Sequence, residues 1–276
     1  MTVFSFDHAI VRTPARSVVD GLRVGHHDSP TYAGVMTEHI AYVGALAAAG
    51  LAVTVLPPLE AFPDSVFVED PALVFGDTAF VLTPGAPTRA GEASAIRTAL
   101  ARAFAQVIDI RDGHVDGGDI LVTPATVFIG LSARTDAAGA AALVRALARI
   151  GRAAQVVTPP PGVLHLKTGA NLIDESTLLV TAPMAAARLF AGFECLVVGE
   201  GEDAAANALR LNDQLLVGRD FPRTIDRLAA RGFNLVPLAV IQIGKIDAGL
   251  SCMSLRWLAP AASATPKPPK PLAENA

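Results

Sequence analysis

Short, unbroken apolar runs separated by alanine-rich stretches of helical spacing recur along the chain. Leu51 to Leu56, Ala72 to Phe75, Thr78 to Leu82, Asp119 to Val122, Thr126 to Gly130 and Thr177 to Thr181 read as strands. Hydrophobicity that is continuous rather than alternating is the pattern of strands buried on both faces. Between them, Ala33 to Ala49, Gly91 to Ala105, Ala137 to Ile150, Asp203 to Arg210 and Pro222 to Ala230 read as outer amphipathic helices. The pattern stops at Ala259, where APAASATPKPPKPLAENA has the Pro, Ala and Lys composition of a tail outside the fold. Residues 1–258 are the expected single domain and 259–276 the tail.

Aligned on their polar positions, four segments repeat. FVEDPALVFGDTAFVL from Phe67, HVDGGDILVTPATVFIG from His114, TGANLIDESTLLVT from Thr168 and NALRLNDQLLVG from Asn207 each set an Asp or Asn before an apolar strand, a polar turn and a second strand. A spacing of roughly 40 to 50 residues is that of blades and similar repeated modules. The N-terminal FDHAIVRTP and the C-terminal GLSCMSLRW complete a fifth module from the two chain ends. The first strands would then aim their polar residues at one centre, around a cavity shared by residues far apart in sequence.

Composition narrows the class of protein. The 276 residues are 51% hydrophobic with a mean hydropathy of +0.44, enough apolar material for a substantial core. No run of about 18 apolar residues occurs, so no membrane span is expected. A net charge of -4 and scattered arginines give no basic footprint for nucleic acid, and a small cationic substrate suits the balance better. Cys195 and Cys252 cannot build a disulfide framework, and MTVFSFDHAIVR lacks a signal-type apolar run, so a cytoplasmic enzyme is expected.

Two residues suit nucleophilic chemistry: His165 in VLHLKTG and Cys252 in AGLSCMSLR. A thiol needs a base or cation nearby to act near neutral pH, and the acids of VEDP (Val68 to Pro71) and VDGGD (Val115 to Asp119) offer a third component. Cys195, inside the apolar FECLVVG, reads as a small buried hydrophobe. His26, His27 and His39 lack a second cluster of metal-ligand spacing and read as a solvated loop and helix face, while His8 and His114 have no distinguishing context. GEGEDA at Gly199 to Ala204 fits a dinucleotide fingerprint, but Glu200, Glu202 and Asp203 would repel a pyrophosphate, so it reads as a turn and helix start.

DSVFVEDPALVF (Asp64 to Phe75), VDGGDIL (Val115 to Leu121), GLSARTD (Gly130 to Asp136), LHLKTG (Leu164 to Gly169) and KIDAGLSCMSLR (Lys245 to Arg256) together resemble the dimethylarginine dimethylaminohydrolases of the guanidino-group-modifying superfamily. The resemblance runs from the N-terminal segment to Trp257. It implies the pentein α/β propeller of five ββαβ modules around a central active-site cavity. It also places Cys252 as nucleophile, His165 as general acid/base and Asp116 as the third catalytic residue, where some members carry Glu. Glu69 and Asp70 match substrate-binding acids, with Asp70 gripping the guanidinium, and Asp64 and Asp247 match further acids of the pocket. Arg89 and Arg134 match the carboxylate-binding arginines, and the backbone at Leu22 and Ile246 the α-ammonium site. The implied reaction converts methylated arginine to citrulline through a Cys thiouronium, with no metal or organic cofactor. Arginine deiminases share this chemistry; they usually carry an extra helical segment for which this chain lacks room, and their nucleophile loop differs from GLSCMSLR. Non-catalytic pentein-fold binding proteins lack the nucleophile and base. Whether subunits pair as a homodimer is left open.

Overall fold

The computed structural model describes residues 3–24 and 28–260, and the statements below concern those residues. His26, His27 and nearly all of the expected tail fall outside them. Chain order runs β1 (His8–Arg12), α1 (Tyr32–Ala48), β2 (Ala52–Leu56), β3 (Ala72–Phe75), β4 (Thr78–Val81), α2 (Glu92–Ala103) and β5 (Gln106–Asp109). It continues with β6 (Ile120–Val122), β7 (Thr126–Gly130), α3 (Ala137–Arg149), β8 (Ala153–Val157), the one-turn α4 (Leu166–Gly169), β9 (Ala170–Leu172), β10 (Thr177–Val180), α5 (Ala182–Ala187) and β11 (Glu194–Val197). Last come β12 (Leu209–Leu211), β13 (Gln214–Gly218), α6 (Pro222–Ala230), β14 (Asn234–Leu238), the one-turn α7 (Ile241–Gly244) and β15 (Leu255–Trp257).

The strands form five three-stranded sheets: β3-β4-β5, β6-β7-β8, β9-β10-β11, β12-β13-β14 and β15-β1-β2. In each, the first two strands pair antiparallel and the third joins the middle one in parallel after a helix. The fifth sheet uses both ends of the chain, as the fragmentary modules imply: His8 to Ile10 pair antiparallel with Trp257 to Leu255 and parallel with Ala52 to Thr54. The middle strands β4, β7, β10 and β13 are almost wholly buried, which is why they read as unbroken apolar runs. The third strands face solvent on one side, and their mixed pattern made β8 and β14 illegible beforehand.

Helix ends follow local chemistry. The Thr31 side chain caps α1 by accepting from Gly34 N, and Asp136 caps α3 through Gly139 N at 2.8 Å. Gly50 and Gly151, at φ 92° and 71°, let the chain turn out of α1 and α3 into the parallel strand, a conformation costly for other residues. One expected helix is corrected. Asp203 to Arg210 forms only a 3-10 turn at Asp203–Ala206 and then β12, because Leu209 and Leu211 pair with β13 and bury on one face. Tertiary pairing overrides alanine's helix propensity there. A second correction concerns His39, which is buried on the inner side of α1, with burial pulling its pKa down to about 4.

Ala259 still packs against the core, and its N–H donates to Asp7 at 2.8 Å. Cys195 sits half-buried in β11, and both cysteines are free. No helix among the described residues is long and apolar enough to cross a membrane.

Candidate active site

One end of the five inner strands carries the chemistry. Just before β3 stand Glu69 and Asp70; before β6, Asp116 and Asp119; before β9, His165 and Lys167; before β12, Asn207; and before β15, Cys252. Each blade thus delivers polar side chains from the same loop position. A cavity of about 50 Å³ lies among them, walled by Leu22, Asp64, Asp70, Arg89, Asp116, Arg134, His165, Lys167, Asn207, Ile246, Asp247 and Cys252. Of the residues singled out from sequence, only Glu69 is missing from this wall. Its carboxylate takes Lys167 Nζ at 2.7 Å and Arg256 at 3.2 Å, and Glu69 lines instead a larger cavity of about 450 Å³. Glu69 still touches the Cys252 loop through its backbone, donating N–H to Cys252 O at 3.2 Å.

The paired glycines of VDGGD permit the closeness of the parts. A Cβ on Gly117 would stand 2.0 Å from Glu69 O, and one on Gly118 would stand 2.8 Å from the His165 ring. Asp119, fully buried, accepts four hydrogen bonds: from Leu166 N at 2.9 Å, Ser132 Oγ at 2.6 Å, Thr135 Oγ1 at 2.7 Å and His165 Nδ1 at 3.3 Å. This hydrogen bond fixes the imidazole with Nδ1–H toward Asp119 and leaves Nε2 for substrate. The direct partner of His165 is therefore Asp119, three residues beyond Asp116. Asp116 acts on the ring through charge, caps its own turn by accepting from Gly118 N at 3.1 Å, and hydrogen-bonds Asp70.

Two acids pin the Leu22–Val24 segment of the pocket wall. Asp64 accepts Leu22 N at 3.0 Å, and Asp247, itself at φ 56°, accepts Val24 N. Asp247 and Ile246 follow α7, whose first N–H groups are held by the Glu38 carboxylate of α1. Arg89 is buried and heavily committed. It ion-pairs with Asp70 and Glu92 and donates to the carbonyls of Asp64 and Phe67 at 3.1 Å each. Arg134, half-buried in the same wall, makes no ion pair with a carboxylate among the described residues.

The charges are set by burial and neighbours. Burial pushes the Cys252 thiol up to about 11, helped by the carboxylates of Asp70 and Glu69. Burial works against a charged His165, but Asp119's hydrogen bond and the charges of Asp116, Asp119 and Asp70 lift it to about 9. Burial alone would raise Asp70; the Arg89 guanidinium, the His165 charge and the hydrogen bonds from Asp116 and Arg89 together outweigh it and hold the acid down at about 2. Asp116 goes well up, through burial and the neighbouring Asp70 charge. Near neutral pH the site rests with a neutral thiol beside an imidazolium, among several buried carboxyl groups. No group of His, Cys, Asp and Glu among the described residues is arranged to hold a metal.

Blades and site together define a pentein-fold α/β propeller with a cysteine, a histidine and several acids around one cavity. The arginine deiminase family model matches residues 46–203. A dimethylarginine dimethylaminohydrolase from Pseudomonas aeruginosa is 38% identical over 91% of this chain and 100% of its own length, and one from Streptomyces coelicolor is 33% identical over 90% and 96%. The chain belongs to the dimethylarginine dimethylaminohydrolase family. A solved structure of the Pseudomonas aeruginosa protein, a cysteine-to-serine variant complexed with citrulline, superposes with a TM-score of 0.88 over 92% of this chain and all of that one. The N-terminal domain of ArgZ, a cyanobacterial arginine dihydrolase, is 16% identical with a TM-score of 0.81 over 93% of this chain and shares the fold.

Asp119 and Asn207 were not singled out as site residues from sequence. The signal for both was present in the repeat, since each occupies the polar position just before an inner strand.

Proposed function

We propose that this chain hydrolyses Nω,Nω-dimethyl-L-arginine, and the monomethyl form, to L-citrulline with release of the methylated amine. The observation that carries the reading is the placement of Cys252 and His165 around one cavity that also holds the Asp70 carboxylate. A planar guanidinium seated against Asp70 presents its central carbon to Sγ, and its N–H groups find the paired acceptors they need. Arg134, in no ion pair with a carboxylate among the described residues, and Arg89 would receive the substrate carboxylate, and the backbone at Leu22 and Ile246 the α-ammonium.

The order of proton movements follows from the charges. His165 already holds its proton and cannot take the one on Cys252. Instead, the arriving cation lowers the thiol pKa and the proton leaves to solvent. The thiolate attacks the guanidinium carbon to give a tetrahedral adduct. His165 Nε2 then protonates the departing amine as the C–N bond breaks, leaving an S-linked thiouronium on Cys252. The now neutral His165 deprotonates a water that attacks the same carbon, the C–S bond breaks, and citrulline leaves with the thiolate restored.

In the free enzyme the productive form, thiolate with imidazolium, is the minority one: with the two groups at about 9 and about 11, roughly one molecule in a hundred holds it at its maximum near pH 10, and roughly one in ten thousand near neutral pH. kcat/KM should therefore rise with pH up to about 9 and fall above about 11. A profile already flat from neutral pH upward would show that the thiol is ionised before substrate arrives.

The arginine deiminase reading remains as the second one, favoured by the family model that matches residues 46–203. Citrulline release from asymmetric dimethylarginine, monomethylarginine and arginine, measured in parallel, separates the two. A higher kcat/KM for a methylated substrate is expected, and a clear preference for free arginine would move the chain to the deiminases.

A further inference from the structure

We infer that Asn207 is a catalytic residue, its side-chain amide donating to Cys252 Sγ and steadying the thiolate. The inference rests on the reading of Cys252 as nucleophile and adds a group to it. Asn207 Nδ2 lies 3.7 Å from Sγ, within reach of a hydrogen bond to sulfur, and nearer than Ser251 Oγ at 3.9 Å.

The orientation of the amide is fixed by its other end. Ser251 N–H points at Asn207 Oδ1 at 3.0 Å, and a backbone N–H can only donate. The atom facing it must be the carbonyl oxygen, so the NH₂ group faces the sulfur. One side chain therefore braces the loop that carries the nucleophile and offers the nucleophile a donor.

The loop is built to admit it. Gly249 is buried against Asn207, and a Cβ there would stand 2.2 Å from Asn207 Cγ. From the far side Arg256 clamps the same loop, donating to Ser251 O at 3.2 Å and to Ser254 O at 2.6 Å. Asn207 itself is half-buried in the pocket wall, at the polar position before β12. The fourth blade thus contributes to the site from the same loop position as the other four.

Sγ has need of such a donor. Burial and the carboxylates of Asp70 and Glu69 all oppose its ionisation, and the backbone contact with Gly249 and the Lys167 charge are the influences that favour it. A neutral amide dipole stabilises the thiolate without competing with the substrate for Asp70, which a second fixed cation would do.

The test uses the full chain without substrate, so it does not depend on which guanidine the enzyme takes. Alkylation of Cys252 by iodoacetamide is followed across pH, with peptide mass mapping to separate it from Cys195, and the thiolate's ultraviolet absorbance is recorded alongside. Asn207→Ala removes donor and brace; Asn207→Asp removes the donor but keeps an acceptor for Ser251 N–H. Both are expected to move the alkylation curve upward by about one pH unit, a ten-fold loss of thiolate at a given pH. Turnover is expected to lose kcat with little change in KM. An unmoved curve in both overturns the inference. So does a shift in Asn207→Asp alone, which reports only the added charge, or in Asn207→Ala alone, which reports only the brace. Should either variant fail to fold by circular dichroism, Gly249→Ala displaces the same amide from the sulfur: the same upward shift supports the inference, and an unmoved curve overturns it. Failure of the proposed function itself shows elsewhere, as citrulline release surviving Cys252→Ser.

Discussion

Cys252→Ser is expected to reduce citrulline release to background, while Cys195→Ser keeps most of it. A guanidinium is resonance-stabilised and already positive, so its carbon yields only to a strong nucleophile. A thiol can be ionised by the bound cation even from a resting value of about 11, whereas a serine hydroxyl starts too far above neutrality for the same help to suffice. The serine variant should still fold and bind, because the loop is held by Arg256 and by Glu69 N–H rather than by the sulfur. Cys195 is different in every respect that matters. It lies half-buried in β11, opposite Leu178 of the neighbouring strand, outside the pocket wall. Its replacement should cost about 1 kcal/mol of stability, read by thermal unfolding, and little activity. Equal losses in the two variants would overturn the assignment of the nucleophile.

His165→Gln is expected to lower kcat on dimethylarginine by roughly 10²- to 10⁴-fold, the usual worth of a positioned acid and base. The loss has two parts, because the same ring protonates the departing amine and later deprotonates water. A substrate with a leaving group that needs no proton tells them apart. S-Methyl-L-thiocitrulline expels a thiolate, so with this variant the first half-reaction should proceed and the covalent adduct on Cys252 should accumulate, seen as a mass increase. A solved structure of a dimethylarginine dimethylaminohydrolase 38% identical to this chain, a histidine-to-glycine variant, is an adduct with that compound. If the variant instead turned over both substrates at the parent rate, His165 would have no part in either proton transfer.

The blades were legible because burial imposes a simple code. A strand covered on both faces must be apolar throughout, so β4, β7 and β10 stand out as runs, and the polar residue before each inner strand repeats from blade to blade. The third strands were less legible, since their exposed faces admit ordinary polar residues. Asp203 to Arg210 misled for a related reason: its alanines favour a helix locally, but the pairing of Leu209 and Leu211 with a strand further along decides the outcome. His39 misled in the opposite sense, because a single histidine in α1 gives no sign of which face it occupies until the helix is docked.

Within the site, residue identities carried most of the chemistry and geometry carried the partnerships. Asp116 and Asp119 differ by three positions in one motif, and nothing in VDGGD distinguishes the acid that holds the imidazole from the one that meets Asp70. The 3-10 turn at Gly117–Asp119 settles it by turning Asp119 toward His165 and Asp116 toward Asp70. Glu69 and Asp70 are adjacent, and their alternate directions send one carboxylate to Lys167 and Arg256 and the other to Arg89. Asn207 carried a polar place in the repeat and nothing more.

By itself, then, the sequence determined the repeated blade, its closure by the two chain ends, and which cysteine and histidine to propose as nucleophile and acid/base, since these depend on residue type and local pattern. Only the tertiary structure decided which acid meets which base, that the thiol rests protonated beside an imidazolium, and that an amide from the fourth blade reaches the sulfur. Those are through-space properties, set by burial and by distances of a few ångströms between segments tens to hundreds of residues apart, which no local pattern records.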